Sequence, residues 1–250
     1  MTTSDFGVED YLRSILAIIV FFLVFLITTP LILFLLLISL GKASNFIVES
    51  IAPLMVRPVF WTAGITFNIC LHANRIEHPA VFIINHSSTL DIPTLLALGL
   101  PKVRFVAKWE LQYNPIFFLL GRLTGQIFIQ RRKSEKAITT LQKTYRRIKN
   151  QRLSVMMAPE GSRKHTDAIG PFKKGPFRIA IDLNYPIVPI FFEGNRELSK
   201  GGTLFTKSGK LTAHIHKPID ISDWKLNQLD DHIAEVRSKY LRWSSESASV

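Results

Sequence analysis

Two rhythms of hydrophobic residues divide the chain. From Ser14 to Gly41 no side chain is charged, and ILAIIVFFLVFLITTPLILFLLLISL (15–40) is almost wholly apolar. A run with no polar face predicts a helix set in lipid, not one laid on a soluble core. As one helix, residues 14–41 would extend about 42 Å, against a hydrocarbon layer of about 30 Å. Pro30 sits mid-run and predicts a kink. Neither half, 15–29 or 31–40, spans alone, at about 22 and 15 Å, so one kinked span and a re-entrant pair both fit the pattern. The next stretch, NFIVESIAPLMVRPVFWTAGITFNICL (45–71), stays apolar but admits Glu49, Pro53, Arg57 and Pro58. It reads as an interfacial helix, or a second arm that dips partway into lipid. The apolar region is too long for a cleaved signal peptide, its leading segment is acidic, and no A-x-A site follows.

From Pro79 onward the rhythm shortens. Apolar or β-branched runs recur at 81–85, 103–108, 126–130, 153–158, 187–192 and 211–216, with segments of helical spacing between most of them. Ser134 to Asn150 is the clearest of these. Ala137, Ile138, Leu141, Tyr145 and Ile148 make one apolar stripe, and Lys136, Lys143, Arg146, Arg147 and Lys149 cover the rest. Strands alternating with helices predict an α/β fold with a largely parallel sheet flanked by helices. The expected organisation is a membrane-anchoring segment over 1–74, a catalytic domain over 75–245 and a polar tail over 246–250.

Composition sharpens the division. Hydrophobic residues make up 47% of the 250 residues, high for a purely soluble chain. The formal net charge is +12, yet residues 1–40 hold only Asp5, Glu9, Asp10 and Arg13, a balance of −2, which leaves +14 on residues 41–250. A basic body behind an apolar segment points to an anionic partner, such as lipid headgroups, phosphorylated substrates or an acidic carrier. By the positive-inside tendency that body faces the cytoplasm. Nucleic acid is not expected, because the basic residues do not alternate with exposed aromatics. Cys70 is the only cysteine, which rules out an intrachain disulfide and a multi-cysteine zinc site. His214 and His216 share a strand face, but no obvious motif brings further ligands, so no metal site is expected.

The chemistry concentrates at FIINHSSTLD, 82–91. Asn85 and His86 follow a strand, and a helix starts near Leu90. A short loop there can fold Asp91 back onto His86, fixing the tautomer of the ring and raising the basicity of its far nitrogen. Free N–H groups at the helix start would suit an oxyanion. Ser87 and Ser88 are not expected to be nucleophiles, since no G-x-S-x-G elbow exists in the chain. They read as loop-shaping residues. Two further strands end in GQIFIQRR (125–132) and APEGSRK (158–164). If the sheet is parallel, Arg131 and Arg163 arrive near His86 as a phosphate clamp, and Gly161 lets the backbone come close.

These residues together resemble the glycerolipid acyltransferases of the 1-acylglycerol-3-phosphate acyltransferase type. The N-H-x4-D motif is matched by Asn85, His86 and Asp91, and G-x-x-F-I-x-R by Gly125, Phe128, Ile129 and Arg131. F-P-E-G-T-R is matched by Pro159, Glu160, Gly161 and Arg163, and a P-I-V-P-V-like strand by Pro186 to Ile190. Lys108, in AKWEL, fits a K-x-E-L context that the family places before the second motif. The chain departs from the pattern at Gln130, Ala158 and Ser162. The resemblance spans roughly 75–220 and implies an N-terminal membrane-embedded helical pair, as in short bacterial members at the inner membrane. It implies acyl transfer from acyl-CoA or acyl carrier protein to the sn-2 hydroxyl of lysophosphatidic acid, with no metal or redox cofactor. His86 would be the general base, oriented by Asp91. Lys108, Arg131, Arg163, Glu160 and Gly161 would hold the acceptor. Another lysolipid, such as lyso-ornithine lipid, is the alternative acceptor.

Overall fold

The long apolar run folds as one helix. In the computed structural model, which describes residues 6–129, 135–162, 169–199 and 202–248, α1 (Val8–Ile38) passes unbroken through Pro30. That removes the re-entrant pair. At 1.5 Å per residue α1 reaches about 46 Å. Its outer face is bare, with Leu26 and Ile27 each 71% exposed. A narrow seam packs inward, Ala17 against Val56 and Phe60, and Ile32 and Leu36 against Ile47.

A helical arm follows, but it is not a second lipid helix. A single turn, α2 (Ser44–Phe46), leads through a π-helical segment (Ile47–Ile51) into α3 (Ala52–Thr62). Among the described residues only α1 is long and apolar enough to cross a membrane. The expectation of an embedded pair is corrected by what the arm packs on. Glu49 Oε1 accepts a bond from the Lys102 N–H at 2.8 Å, and Val48 is buried in the core under the sheet. A carboxylate that caps a backbone amide of the α/β body cannot also lie in lipid. Arg104 makes the same tie. Its buried guanidinium donates to Asn45 Oδ1 at 2.8 Å and Ser44 Oγ at 3.1 Å, and burial lowers its pKa to about 10.

The rest of the chain builds a seven-stranded sheet. Its strands are β1 (Ile65–Leu71), β2 (Val81–Ile84), β3 (Val103–Lys108), β4 (Ile127–Ile129), β5 (Ser154–Met157), β6 (Ile187–Glu193) and β7 (Gly209–Ile215), in the order β1-β7-β6-β2-β5-β3-β4. The six strands expected from the sequence all form. The seventh, β1, comes from within the apolar stretch 45–71 and pairs parallel with β7, Cys70 opposite His214. β2 to β6 are mutually parallel, and β7, with its parallel partner β1, runs opposite to them through its antiparallel pairing with β6.

Helices α4 (Asp91–Ala97), α5 (Pro115–Leu123), α6 (Glu135–Gln151), α7 (Lys174–Leu183), α8 (Asn195–Leu198) and α9 (Leu229–Ala248) complete the layers. On one face Val81, Ile83, Val155, Ile187 and Phe191 pack against Ile148 of α6, Phe177 of α7 and Tyr240 of α9. On the other, Phe82, Ile84, Val188 and Ile190 meet Leu98, Leu100 and Val48. β2 is buried along its whole length. Alternate residues therefore feed two cores, as a central parallel strand requires. In α6 Ile148 is buried and Lys143, Arg146 and Lys149 are exposed, as the stripe predicts. Arg147 instead turns inward, and its Nη2 donates to Gly125 O at 2.7 Å. The segment read as a polar tail is mostly helical, as α9 continues through Ala248.

Candidate active site

Parallel strands send their C-terminal ends to one edge, the usual place for ligands in an α/β sheet. Asn85 leaves β2 there, Ala158 to Gly161 leave β5, and Gly194 and Asn195 leave β6. β3 and β4 end at Lys108 and Ile129 on the same edge. Asn85 ties two of these ends together. Its Nδ2 donates to Phe192 O at 3.0 Å, and its Oδ1 accepts from Phe192 N at 2.7 Å.

The loop after Asn85 makes the predicted pair. His86 Nδ1 lies 2.9 Å from Asp91 Oδ2; Asp91 is fully buried, and the His86 side chain is 21% exposed. A buried carboxylate on Nδ1 fixes that nitrogen as the proton-bearing one and leaves the Nε2 lone pair for a substrate proton. The same Oδ2 accepts from Ser88 N at 3.0 Å, while Oδ1 accepts from Asn195 Nδ2 at 2.7 Å. Asn195 is fully buried, and its own Oδ1 has no partner among the described residues. The sequence reading missed this residue, which lies 104 positions from Asp91 and is marked only by a glycine at a strand end.

Glu160 sits where the resemblance puts a substrate contact, yet it faces inward. It is 2% exposed, with Oε1 accepting from His86 N at 2.8 Å and Oε2 from Gly170 N at 2.9 Å. Burial raises its pKa, opposed by those two bonds. The carboxylate holds the backbone of the loop that carries His86. Gly161 turns the chain at φ +68°, and a Cβ there would meet Lys173 Nζ at 2.8 Å. That brings a lysine onto the third motif from the PFKK stretch, another residue the sequence reading passed over. Ala158 packs beside the core between the sheet and α4, so this departure from the family pattern is a change of packing.

Ser88 is structural. The Ser88 hydroxyl is buried, donates to Ser199 O and accepts from Leu90 N at 3.0 Å. The N–H groups of His86, Ser88 and Leu90 are all committed to side chains of the loop or to Glu160, so these three are not the oxyanion donors expected at the helix start. Arg131 and Arg163 lie outside the described residues, as does the side chain of Lys108.

The acyltransferase family profile matches residues 67–193. The 1-acyl-sn-glycerol-3-phosphate acyltransferase of Limnanthes douglasii is 30% identical over 184 residues, 74% of this chain and 65% of that protein. The protein of the same description from Haemophilus influenzae is 33% identical over 152 residues, 61% of this chain and 62% of its own. The matched region thus spans a little under two thirds of these curated relatives. Among solved structures, the 1-acyl-sn-glycerophosphate acyltransferase from Thermotoga maritima shares the fold with a TM-score of 0.68 at 21% identity, covering 93% of this chain and 98% of that one.

Proposed function

Because the chain belongs to the acyltransferase family of the 1-acyl-sn-glycerol-3-phosphate acyltransferase type, we propose that it moves a fatty acyl group from a thioester to the sn-2 hydroxyl of lysophosphatidic acid. The observation that carries this reading is the buried Asp91 carboxylate on His86 Nδ1, at the sheet edge where the motif strands end. His86 Nε2 takes the hydroxyl proton as the oxygen attacks the thioester carbonyl. The tetrahedral intermediate then collapses, the C–S bond breaks, and the imidazolium returns the proton to the leaving thiolate. The nucleophile is the substrate's own oxygen, in keeping with a Ser88 hydroxyl that is already hydrogen-bonded.

Arg131, Arg163 and Lys108 are proposed to hold the acceptor's phosphate. Support comes from β3, β4 and β5, which end at Lys108, Ile129 and Met157 on the same sheet edge as β2. Glu160 is assigned a positioning role, through the His86 backbone. The donor is acyl-CoA or acyl carrier protein, each anionic and suited to the basic body. The bare face of α1 keeps the site at the bilayer, and exposed Arg57 and Trp61 on α3 line a groove of about 500 Å³ beside β1. The basic body favours the anionic cytoplasmic face of the bacterial inner membrane.

The test is an acceptor-and-donor matrix in detergent micelles. The expected result is acyl transfer to lysophosphatidic acid with a loss of about 10²-fold or more in His86→Ala. Transfer only to a phosphate-free lysolipid such as lyso-ornithine lipid would replace the acceptor. Unchanged transfer in His86→Ala would remove the assigned base.

A further inference from the structure

We propose that the free end of β1 and its neighbour β7 form a binding site for a thiophilic divalent cation such as zinc, with Cys70, His72 and His214 as ligands. The register puts Cys70 directly beside His214, and residues two apart on a strand share a face, so Cys70, His72, His214 and His216 form one patch. The Cys70 Sγ and a ring nitrogen of each of His72 and His214 lie within 4.8 Å of one another. Ligand atoms around a shared tetrahedral zinc stand about 3.5 Å apart, so the cluster closes by about 1 Å at its widest, a movement the exposed His72 ring can supply.

Two features beyond ligand count point to a cation. First, His214 Nε2 lies 2.8 Å from Glu193 Oε2 on β6, and Nδ1 lies 3.0 Å from His72 Nε2. The carboxylate makes Nε2 the proton-bearing nitrogen, so the Nδ1 lone pair points into the cluster. A carboxylate behind a histidine is the support that zinc ligands ordinarily carry. Second, His72 is held flat against His216, with centroids 4.6 Å apart and 4° between planes, and His216 lies flat against Trp243 at 3.6 Å. A ring at an open strand end is thereby fixed in orientation. Two imidazoles and one thiolate suit zinc and leave a fourth position for water. On binding, the Cys70 thiol gives its proton to solvent, and His72 carries its remaining proton on Nδ1. The sequence pattern hid the cluster, because residues 65–71 read as part of the apolar arm and the two β7 histidines seemed to lack partners. A cation there would fasten the strand that follows the N-terminal helices to the last strand of the sheet.

The experiment is a titration of the untagged, reduced full chain in detergent micelles with Co(II), then displacement by Zn(II). The expected result is saturation at one equivalent with a near-ultraviolet thiolate-to-metal band. Cys70→Ser loses the band, His72→Ala and His214→Ala bind at least about tenfold more weakly, and Glu193→Ala weakens binding by about 10- to 100-fold. His86→Ala binds as the parent does, which separates this site from the acyl-transfer reading. No band at one equivalent, or a band that survives in both His72→Ala and His214→Ala, overturns the proposal.

Discussion

Asp91 has both carboxylate oxygens occupied, and the two sets of partners serve different ends. Oδ2 holds the His86 ring and the loop amide of Ser88; Oδ1 is held by Asn195 alone. The His–Asp pair was legible because only four residues separate its members and a short loop can join them. Asn195 was not, because buttressing a carboxylate needs only an amide group and leaves no local motif. Glu160 was legible as a motif residue, whereas its two backbone N–H bonds were not, since they depend on where loops meet. For Asn195→Ala the expected outcome is a fall in kcat of about 10- to 100-fold with little change in either KM, as the ring loses its fixed orientation. Steady-state kinetics would show it; a variant with lower thermal stability and parental kcat would make Asn195 a packing residue only.

Elements read from period and length came out well where one core decides them. The continuous apolar run 81–84 is a central strand buried on both faces, and the stripe of α6 packs by Ile148. β1 escaped because its residues follow an apolar arm with no break in hydropathy, and as an edge strand it is buried mainly at Ile65. The helical arm before it was misplaced for a related reason. Hydropathy counts apolar residues but cannot tell a lipid face from one packed on a sheet. At the end of β6, Gly194 has φ +90°, and a Cβ there would collide with the Lys210 carbonyl. Gly194→Ala is expected to lose about 1–3 kcal/mol, seen as an earlier unfolding midpoint, and to lower activity because the turn delivers Asn195. Across the sheet, the buried Tyr240 hydroxyl donates to Ile83 O at 2.7 Å and accepts from Ile190 N at 3.2 Å. Tyr240→Phe strands both groups and should cost about 1–3 kcal/mol, a loss that denaturant titration can read. A midpoint equal to the parent's would mean that β2 and β6 do not depend on α9.

At the scale of the molecule, an apolar rod is joined to a basic α/β body. The rod's outer face has no polar partner, whereas the body carries the excess positive charge. Attachment through α1 is hydrophobic and insensitive to screening, while docking of the body is electrostatic and weakens with salt. Expressed in cells, the chain is expected to stay in the membrane pellet through high salt and alkaline carbonate and to leave it only in detergent. Release by carbonate would mean that α1 does not insert. The sheet adds a constraint of timing. β1 follows directly on the N-terminal helices, yet among the described residues its only strand partner is β7, and the two histidines that meet across this pair lie 142 residues apart. During synthesis α1 leaves the ribosome while β7 is still unmade, so β1 waits with an unpaired edge. The ribosome must deliver nearly the whole body before the first strand can join the sheet. A nascent chain arrested before residue 209 would therefore be anchored but unfinished, its first strand exposed to chaperones and proteases.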